Sequence, residues 1–127
     1  MANYTVQNIK QLDNAAERFG IEGMEARFAR KPLELEKFGF SYQKLAPNYR
    51  QSFAHHHAQH EEVYLVLSGG GRIKVDDDIV DLKQWDAIRV PPQVTRQLES
   101  GADGLELLAI GAPEGGDAEM IEGWWTD

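Results

Sequence analysis

The sequence predicts an all-β protein, an antiparallel sandwich or barrel preceded by a short helical segment. Two observations support this prediction: apolar residues alternate with a period of two in short runs, and turn residues separate these runs at close intervals. The chain of 127 residues contains no repeat, low-complexity tract or linker rich in proline, glycine or serine. We therefore expect one domain over residues 1–127, with a barrel core at about 36–112 and both chain ends packed on it.

One short helix is predicted near the start, in the stretch DNAAERFG. Asp13 is the expected N-cap, and Gly20 is expected to end the helix in a left-handed conformation. From EARFAR onward the alternation has the period of a strand, as Phe38, Phe40 and Tyr42 illustrate.

The later strands are predicted in EVYLVLS, RIKV, IVDL, AIRVPP, VTRQLES and LELLAIG. Turns are expected between them at SGGG, DDD, KQWD and GADG, because glycine and aspartate favour turn conformations. Both faces of Glu62–Leu67 are apolar beyond the first residue, which predicts a strand covered on both sides. The covering layer is either the N-terminal segment or a second subunit. Trp124 and Trp125 add apolar surface near the chain end, and we expect a homodimer.

Composition excludes several classes of function. A formal net charge of -8, with scattered basic residues, disfavours nucleic acid as a partner. The sequence has no cysteine, which excludes thiolate metal sites and cysteine nucleophiles and fits the cytoplasm, where we expect the protein to be. No membrane partner is expected, because the longest apolar run, Val63–Leu67, is far shorter than the roughly 18 residues of a membrane-spanning helix.

All four histidines lie in the stretch FAHHHAQHEEVYL, directly before an apolar strand. In an extended strand His55 and His57 project to the same side, since residues two apart share a face. Glu62 begins the next strand, shares a face with Tyr64, and can join the two imidazoles if the strands are neighbours. Two imidazoles and one carboxylate suit divalent manganese, iron, nickel or zinc.

The other two histidines are assigned differently. His56 projects to the opposite side of the strand, and His60 lies in the connection that follows. We expect both to be surface residues, although a role at the site is left open for each.

The spacing of these residues resembles a known motif. His55-x-His57, four residues, Glu62, six residues and Gly69 form a pattern similar to the first conserved motif of the cupin superfamily. The resemblance is to small single-domain cupins of the type 2 kind and covers about Phe38–Gly111. It implies a double-stranded β-helix, or jelly-roll, barrel with an interior pocket. It also implies that the two histidines and the glutamate hold a divalent metal.

The chain departs from the cupin pattern in both motifs. Tyr49 replaces the turn glycine of the first motif. In the second motif only Pro91 survives, and Arg96 replaces the histidine that is the fourth protein ligand in metal-binding cupins. Three further positions of that motif are occupied by other residues: Trp85, Gln93 and Ser100.

The resemblance leaves two functions open. One is a metal-dependent enzyme, such as an oxygenase, isomerase or epimerase, that acts on a small anionic metabolite bound by Arg96 and Tyr64. The other is a metal-free module that binds or senses a small molecule without catalysis. The alternation in VTRQLES places Arg96 on the inward face, where its charge requires Glu62 or a bound anion as partner. Fold alone does not choose between the two functions.

Overall fold

The computed structural model describes residues 1–111 and 117–127, and its strands form one curled, antiparallel, eight-stranded sheet. The predicted all-β jelly-roll architecture with a short N-terminal helix is confirmed. In chain order the elements are a 3₁₀ helix at Ile9–Gln11, α1 Ala15–Arg18, β1 Met24–Phe28, α2 Arg30–Leu33, β2 Gly39–Leu45, β3 Phe53–His57, β4 Glu62–Val75, β5 Asp78–Lys83, β6 Ala87–Val90, β7 Arg96–Gly111 and β8 Ala118–Glu122.

The two long strands, β4 and β7, hold the sheet together. They pair with each other over most of their length, while β2 and β3 pair with β7, and β5 and β6 pair with β4. The β4–β7 register shifts twice, between Val66 and Ser68 and again between Gly69 and Gly71. Such bulges bend a strand, which allows the sheet to curl around a core.

Two predicted turns are wrong, because the glycines at SGGG and GADG lie inside β4 and β7. Gly69 and Gly104 both have positive φ, and a Cβ atom on Gly69 would lie 2.1 Å from the Gly104 carbonyl oxygen. The glycines are therefore needed for a bulge where two backbones approach closely, and not for a chain reversal.

The predicted turns at DDD and KQWD are confirmed, since they connect β4 to β5 and β5 to β6. The predicted helix is also present, but its cap is different. Asn14, not Asp13, accepts a hydrogen bond from the Ala16 amide, and Asp13 instead pairs with Arg18 at 2.6 Å. Gly20 has the expected positive φ, 69°.

The core lies between the two halves of the curled sheet. Tyr64 and Val66 of β4 point into it, as the alternation predicted, while Val63 and Leu65 on the outer face are half-buried. The core cluster consists of Leu45, Tyr64, Val66, Ile73, Leu82, Val90, Leu98, Leu105, Leu107 and Ala109.

Both chain ends add strands beyond the range 36–112. On the N-terminal side β1 pairs with β2, and α1 packs against β1. On the C-terminal side β8 pairs with β3 along its whole length, from Phe53 opposite Glu122 to His57 opposite Ala118. The strand that carries the histidines therefore has β8 as a neighbour.

The C-terminal tail is fastened through Trp125, which is only 5% exposed. The guanidinium carbon atoms of Arg50 and Arg72 lie 4.0 and 5.2 Å from the centroid of its ring. Glu99 accepts hydrogen bonds from both arginines, at 2.8 and 2.6 Å. Trp125 therefore packs in this structure, with Lys74 near the ring of Trp124.

Within the described residues, no helix is long and apolar enough to cross a membrane.

Candidate metal centre

Strand β3 brings two of the histidines to one side. The rings of His55 and His57 lie edge to face, with centroids 5.1 Å apart. His56 projects to the other side, where its Nε2 lies 3.1 Å from a carboxylate oxygen of Glu119 on β8. This arrangement is the one that strand alternation predicted.

Several side chains contact the same carboxylate oxygen of Glu62. Its Oε1 atom lies 3.2 Å from Nε2 of His55 and 3.3 Å from Nε2 of His57. The hydroxyl of Tyr64 donates a hydrogen bond of 2.7 Å to the same oxygen. Ligand atoms of the two histidines and the glutamate all lie within 4.8 Å of one another, so this cluster could hold a metal ion.

The surroundings keep Glu62 ionised and Tyr64 protonated. Burial alone would raise the pKa of Glu62, but hydrogen bonds with His55 and Tyr64 outweigh it and lower this pKa to about 2. Burial and the adjacent Glu62 carboxylate raise the pKa of Tyr64 well above its usual range. Glu62 therefore offers a carboxylate, and Tyr64 a hydroxyl donor, over the whole physiological pH range.

Arg96 is buried, with 1% of its surface exposed, and lies opposite His55 in the sheet. Its Nη1 atom is 3.8 Å from Oε1 of Glu62, and its Nη2 donates to the carbonyl oxygens of Pro91 at 3.0 Å and Val90 at 3.4 Å. Its Nε and Nη1 atoms have no hydrogen-bond partner among the described residues. The inward orientation predicted from the alternation is present, and Glu62 is the carboxylate it approaches.

A second group, which the sequence analysis did not predict, adjoins the first. Nδ1 of His57 lies 2.8 Å from Oδ1 of Asp117, and Nδ1 of His60 lies 3.4 Å from the same oxygen. The hydrogen bond from His57 holds the pKa of Asp117 well below its usual range, although burial opposes this effect. A further hydrogen bond from the Gln59 amide lowers this pKa as well. These residues also form a set whose ligand atoms could hold a metal ion. No spacing motif links Asp117 to histidines about 60 positions earlier, so only the tertiary structure shows this contact.

A cavity of about 360 Å³ opens onto the cluster. Its inner end is lined by His55, His57, Glu62 and Tyr64, together with polar side chains from β2 and the segment before β3. Arg96 is not among the lining residues that the structure describes. The N-terminal segment supplies much of the apolar wall: Ala15, Ala16, Ile21, Met24 and Ala26. Three exposed apolar side chains also line the cavity and form its rim: Phe19, Phe28 and Met120.

One pair of atoms in the first cluster indicates how a cation would fit there. Nε2 of His57 is buried and has no hydrogen-bond partner within residues 1–111 and 117–127, although Oε1 of Glu62 is only 3.3 Å away. A carboxylate only accepts hydrogen bonds, and an imidazole nitrogen without a proton does the same. Two acceptors that face each other in a buried site need a cation between them, which is either a proton or a metal ion.

Comparison with known families adds to this geometry. The Cupin domain family matches residues 41–111, more than half of the chain. The chain belongs to the cupin family. The chain is similar to an uncharacterized protein of Methanocaldococcus jannaschii, with 28% identity over 81 residues. The match covers 61% of this cupin and 65% of that protein. The cupin thus spans about two thirds of the length of this curated relative.

Solved structures similar to this cupin have the same fold. A cupin protein from Bacteroides fragilis is 23% identical, with a TM-score of 0.71 over 100% of this chain and 91% of the other. The polyketide cyclase RemF from Streptomyces resistomycificus is 14% identical, with a TM-score of 0.75 over 97% and 87% of the two chains. Streptomyces PAC13, solved with uridine, is 15% identical, with a TM-score of 0.75 over 96% and 93%. At these identities the likeness shows the fold alone.

Proposed function

We propose that this cupin is a metal-dependent enzyme that holds a divalent transition metal through His55, His57 and Glu62 and binds a small molecule in the adjoining cavity. The buried Nε2 atom of His57, which faces Oε1 of Glu62 without a hydrogen-bond partner, is the observation that carries this proposal. The ligand set of two nitrogens and one oxygen suits manganese, iron, nickel or zinc. When bound, such a metal supplies Lewis-acid chemistry to an oxygen-bearing group of the small molecule.

The protein's own residues position and protect the reacting group. Tyr64 donates to Oε1 of Glu62 and thereby fixes the rotation of the carboxylate. Because the pKa of Tyr64 is raised, its hydroxyl keeps its proton and stays a donor. Tyr64 also lines the cavity, and we propose that it contacts the bound molecule. The apolar wall from the N-terminal segment excludes water from the inner end.

We propose a largely apolar ligand with one oxygen-bearing group. The residues that line the cavity, within the described part of the chain, include no lysine or arginine. The charge of an anionic group on the ligand would therefore be neutralised by the metal and the imidazoles. Arg96 would not contact the ligand, and its charge would act on the ligand only across Glu62. The names of two structurally similar proteins, a polyketide cyclase and a protein solved with uridine, support a small organic occupant.

A metal-free binding module is the second candidate, and one observation favours it. Four groups already surround Oε1 of Glu62: two imidazoles, the Tyr64 hydroxyl and the Arg96 guanidinium. If one imidazole carries a proton, the carboxylate is neutralised without a metal.

Metal content separates the two candidates. Untagged protein purified without chelator should contain about one equivalent of a first-row transition metal by elemental analysis. The metal-loaded protein should then be stabilised against heat by small aromatic alcohols or ketones, and less so after the metal is removed. Protein that is free of metal and binds none of the four ions in titration would contradict the enzyme and leave the binding module.

We also propose a homodimer, supported by the half-buried outer face of β4 at Val63 and Leu65. Light scattering at micromolar concentration should give about twice the mass of one chain. A single-chain mass would contradict the dimer.

A further inference from the structure

We propose that Asp117 is a positioning residue for His57: it holds the proton on Nδ1 and so presents Nε2 as a lone pair toward Glu62. The inference deepens the proposed function and rests on it, because the lone pair is useful only if a metal binds beside it. In the described part of the chain, Asp117 is neither one of the residues that line the cavity nor a member of the first cluster.

The contact between the two side chains fixes the tautomer. Nδ1 of His57 and Oδ1 of Asp117 are 2.8 Å apart, and the side chain of His57 is only 15% exposed. An ionised carboxylate can only accept a hydrogen bond, so Nδ1 must donate it. In a neutral imidazole the other nitrogen, Nε2, then carries no proton.

The carboxylate of Asp117 is itself held in place. Its Oδ2 atom accepts hydrogen bonds from the backbone amides of Gln59 at 3.1 Å and His60 at 3.2 Å. Its carbonyl oxygen accepts a further one from the amide of Ala58 at 3.1 Å. All three amides belong to the connection between β3 and β4, the same connection that joins His57 to Glu62. Asp117 therefore fixes this connection and the imidazole ring together.

The alternative role for this group is a second metal site formed by His57, His60 and Asp117. A metal bound to Nδ1 of His57 would require that nitrogen to lose the proton that it donates in its hydrogen bond to Asp117. The Oδ2 atom of the same carboxylate already accepts two backbone amides. Hydrogen bonding accounts for the contacts of Asp117 with His57 and with the three backbone amides without a second metal, and we assign the positioning role on this ground.

The test compares Asp117→Ala and Asp117→Asn with Glu119→Ala, which removes the carboxylate next to His56 on the other side of β3. Zinc affinity is measured by competition with a chelator. The tautomer of His57 is measured in metal-free protein by long-range proton–nitrogen correlation spectroscopy on histidine labelled with nitrogen-15. The Asn variant keeps an acceptor oxygen and the size of the side chain, so it controls for damage to the connection between β3 and β4.

We expect Asp117→Ala to weaken zinc binding about 10- to 100-fold, the usual effect of losing the partner that orients a ligating histidine. The metal-free Ala variant should lose the uniform Nδ1–H tautomer of His57, the Asn variant should retain part of both properties, and Glu119→Ala should change neither. Wild-type zinc affinity together with an unchanged tautomer in Asp117→Ala would overturn the proposal. So would two zinc equivalents in the wild type, of which Asp117→Ala removes one. If the wild type binds no zinc while the Ala variant changes the tautomer, the positioning of His57 stands and the proposed enzyme fails.

Discussion

Nη1 of Arg96 lies 3.8 Å from Oε1 of Glu62, and Arg96 is among the most deeply buried side chains of the described residues. A guanidinium at this place competes with a metal ion for the same carboxylate oxygen, since both are cations. The position is also the one where the cupin pattern has a histidine ligand. We therefore expect Arg96 to weaken the binding of a metal at this cluster, both by its charge and by replacing a ligand.

Arg96→His should raise the affinity for divalent zinc or nickel by about tenfold or more, because it removes the competing charge and adds an imidazole. Isothermal titration measures the change. Arg89→His is the matched control, since Arg89 is exposed and its nearest carboxylate, on Glu61, is 3.7 Å away. Equal affinity in both variants would show that Arg96 does not influence the site.

His57→Ala should reduce zinc affinity by at least about 100-fold and leave the fold intact, because it removes one of three ligands. His56→Ala is the control from the same strand, and it should keep the metal because His56 faces Glu119 on the opposite side. Elemental analysis of both purified variants, with circular dichroism for the fold, checks the result. Loss of metal in His56→Ala instead would assign the site to the other face.

Gly69→Ala should lower the free energy of unfolding by about 3 kcal/mol or more, because it combines a positive φ with a severe clash. The added Cβ would lie 2.1 Å from the Gly104 carbonyl oxygen. Gly101→Ala is the control: its Cβ would meet the Gly70 carbonyl oxygen at an ordinary 3.5 Å. Urea unfolding of the two variants measures the difference, and equal stabilities would rule out the close approach of the strands.

Ala26→Leu should reduce ligand binding without removing the metal, since Ala26 lies on β1 in the cavity wall and not at the histidines. The larger side chain takes up space that an apolar ligand needs. Naphthol, an aromatic ring that bears one hydroxyl, should raise the melting temperature of Ala26→Leu less than that of wild type. Val80→Leu, on the barrel exterior, is the control and should respond as wild type does. An undiminished shift would place the naphthol outside this cavity.

The Glu99 carboxylate should stabilise the fold at neutral pH and lose this effect in acid. Burial raises the pKa of Glu99, but the hydrogen bonds from Arg72 and Arg50 outweigh it, and the net shift is downward from the ordinary 4.5. A depressed pKa means that the stabilisation is present above the unfolded-state pKa, near 4.5, and disappears as pH falls through the folded-state value.

Glu99→Gln should therefore destabilise the protein at pH 7 and make its stability less dependent on pH below about 4.5. Unfolding followed by tryptophan fluorescence is a suitable measurement, because Trp125 stacks on the two arginines that Glu99 holds. Parallel pH profiles in wild type and variant would contradict the assignment.

The sequence predicted the first cluster because its geometry is local. His55 and His57 share a strand, so alternation alone places them on one face, and Glu62 follows after a short connection. The inward orientation of Arg96 followed from the same rule. The family resemblance added the expectation that these three residues hold a divalent metal, which alternation alone does not supply.

The sequence did not predict contacts that depend on tertiary structure. Asp117 reaches His57 only because β8 pairs with β3, and no local pattern signals that pairing. The glycines of SGGG and GADG were assigned to turns. Glycine is favoured at positive φ both in turns and in bulges, so the residue type alone does not distinguish the two. The predicted cap Asp13 and the actual cap Asn14 are adjacent residues of similar capping preference, which propensity does not separate.

Part of the cavity wall and the histidine cluster come from different stretches of the chain. Ala15, Ala16 and Met24 come from the first quarter of the sequence, whereas the histidines and Glu62 come from its middle. Amino-acid replacements in the early stretch can therefore change the shape of the cavity without changing the histidines and Glu62. In a barrel built this way, the shape of the cavity and the set of candidate ligands can change independently of each other during evolution.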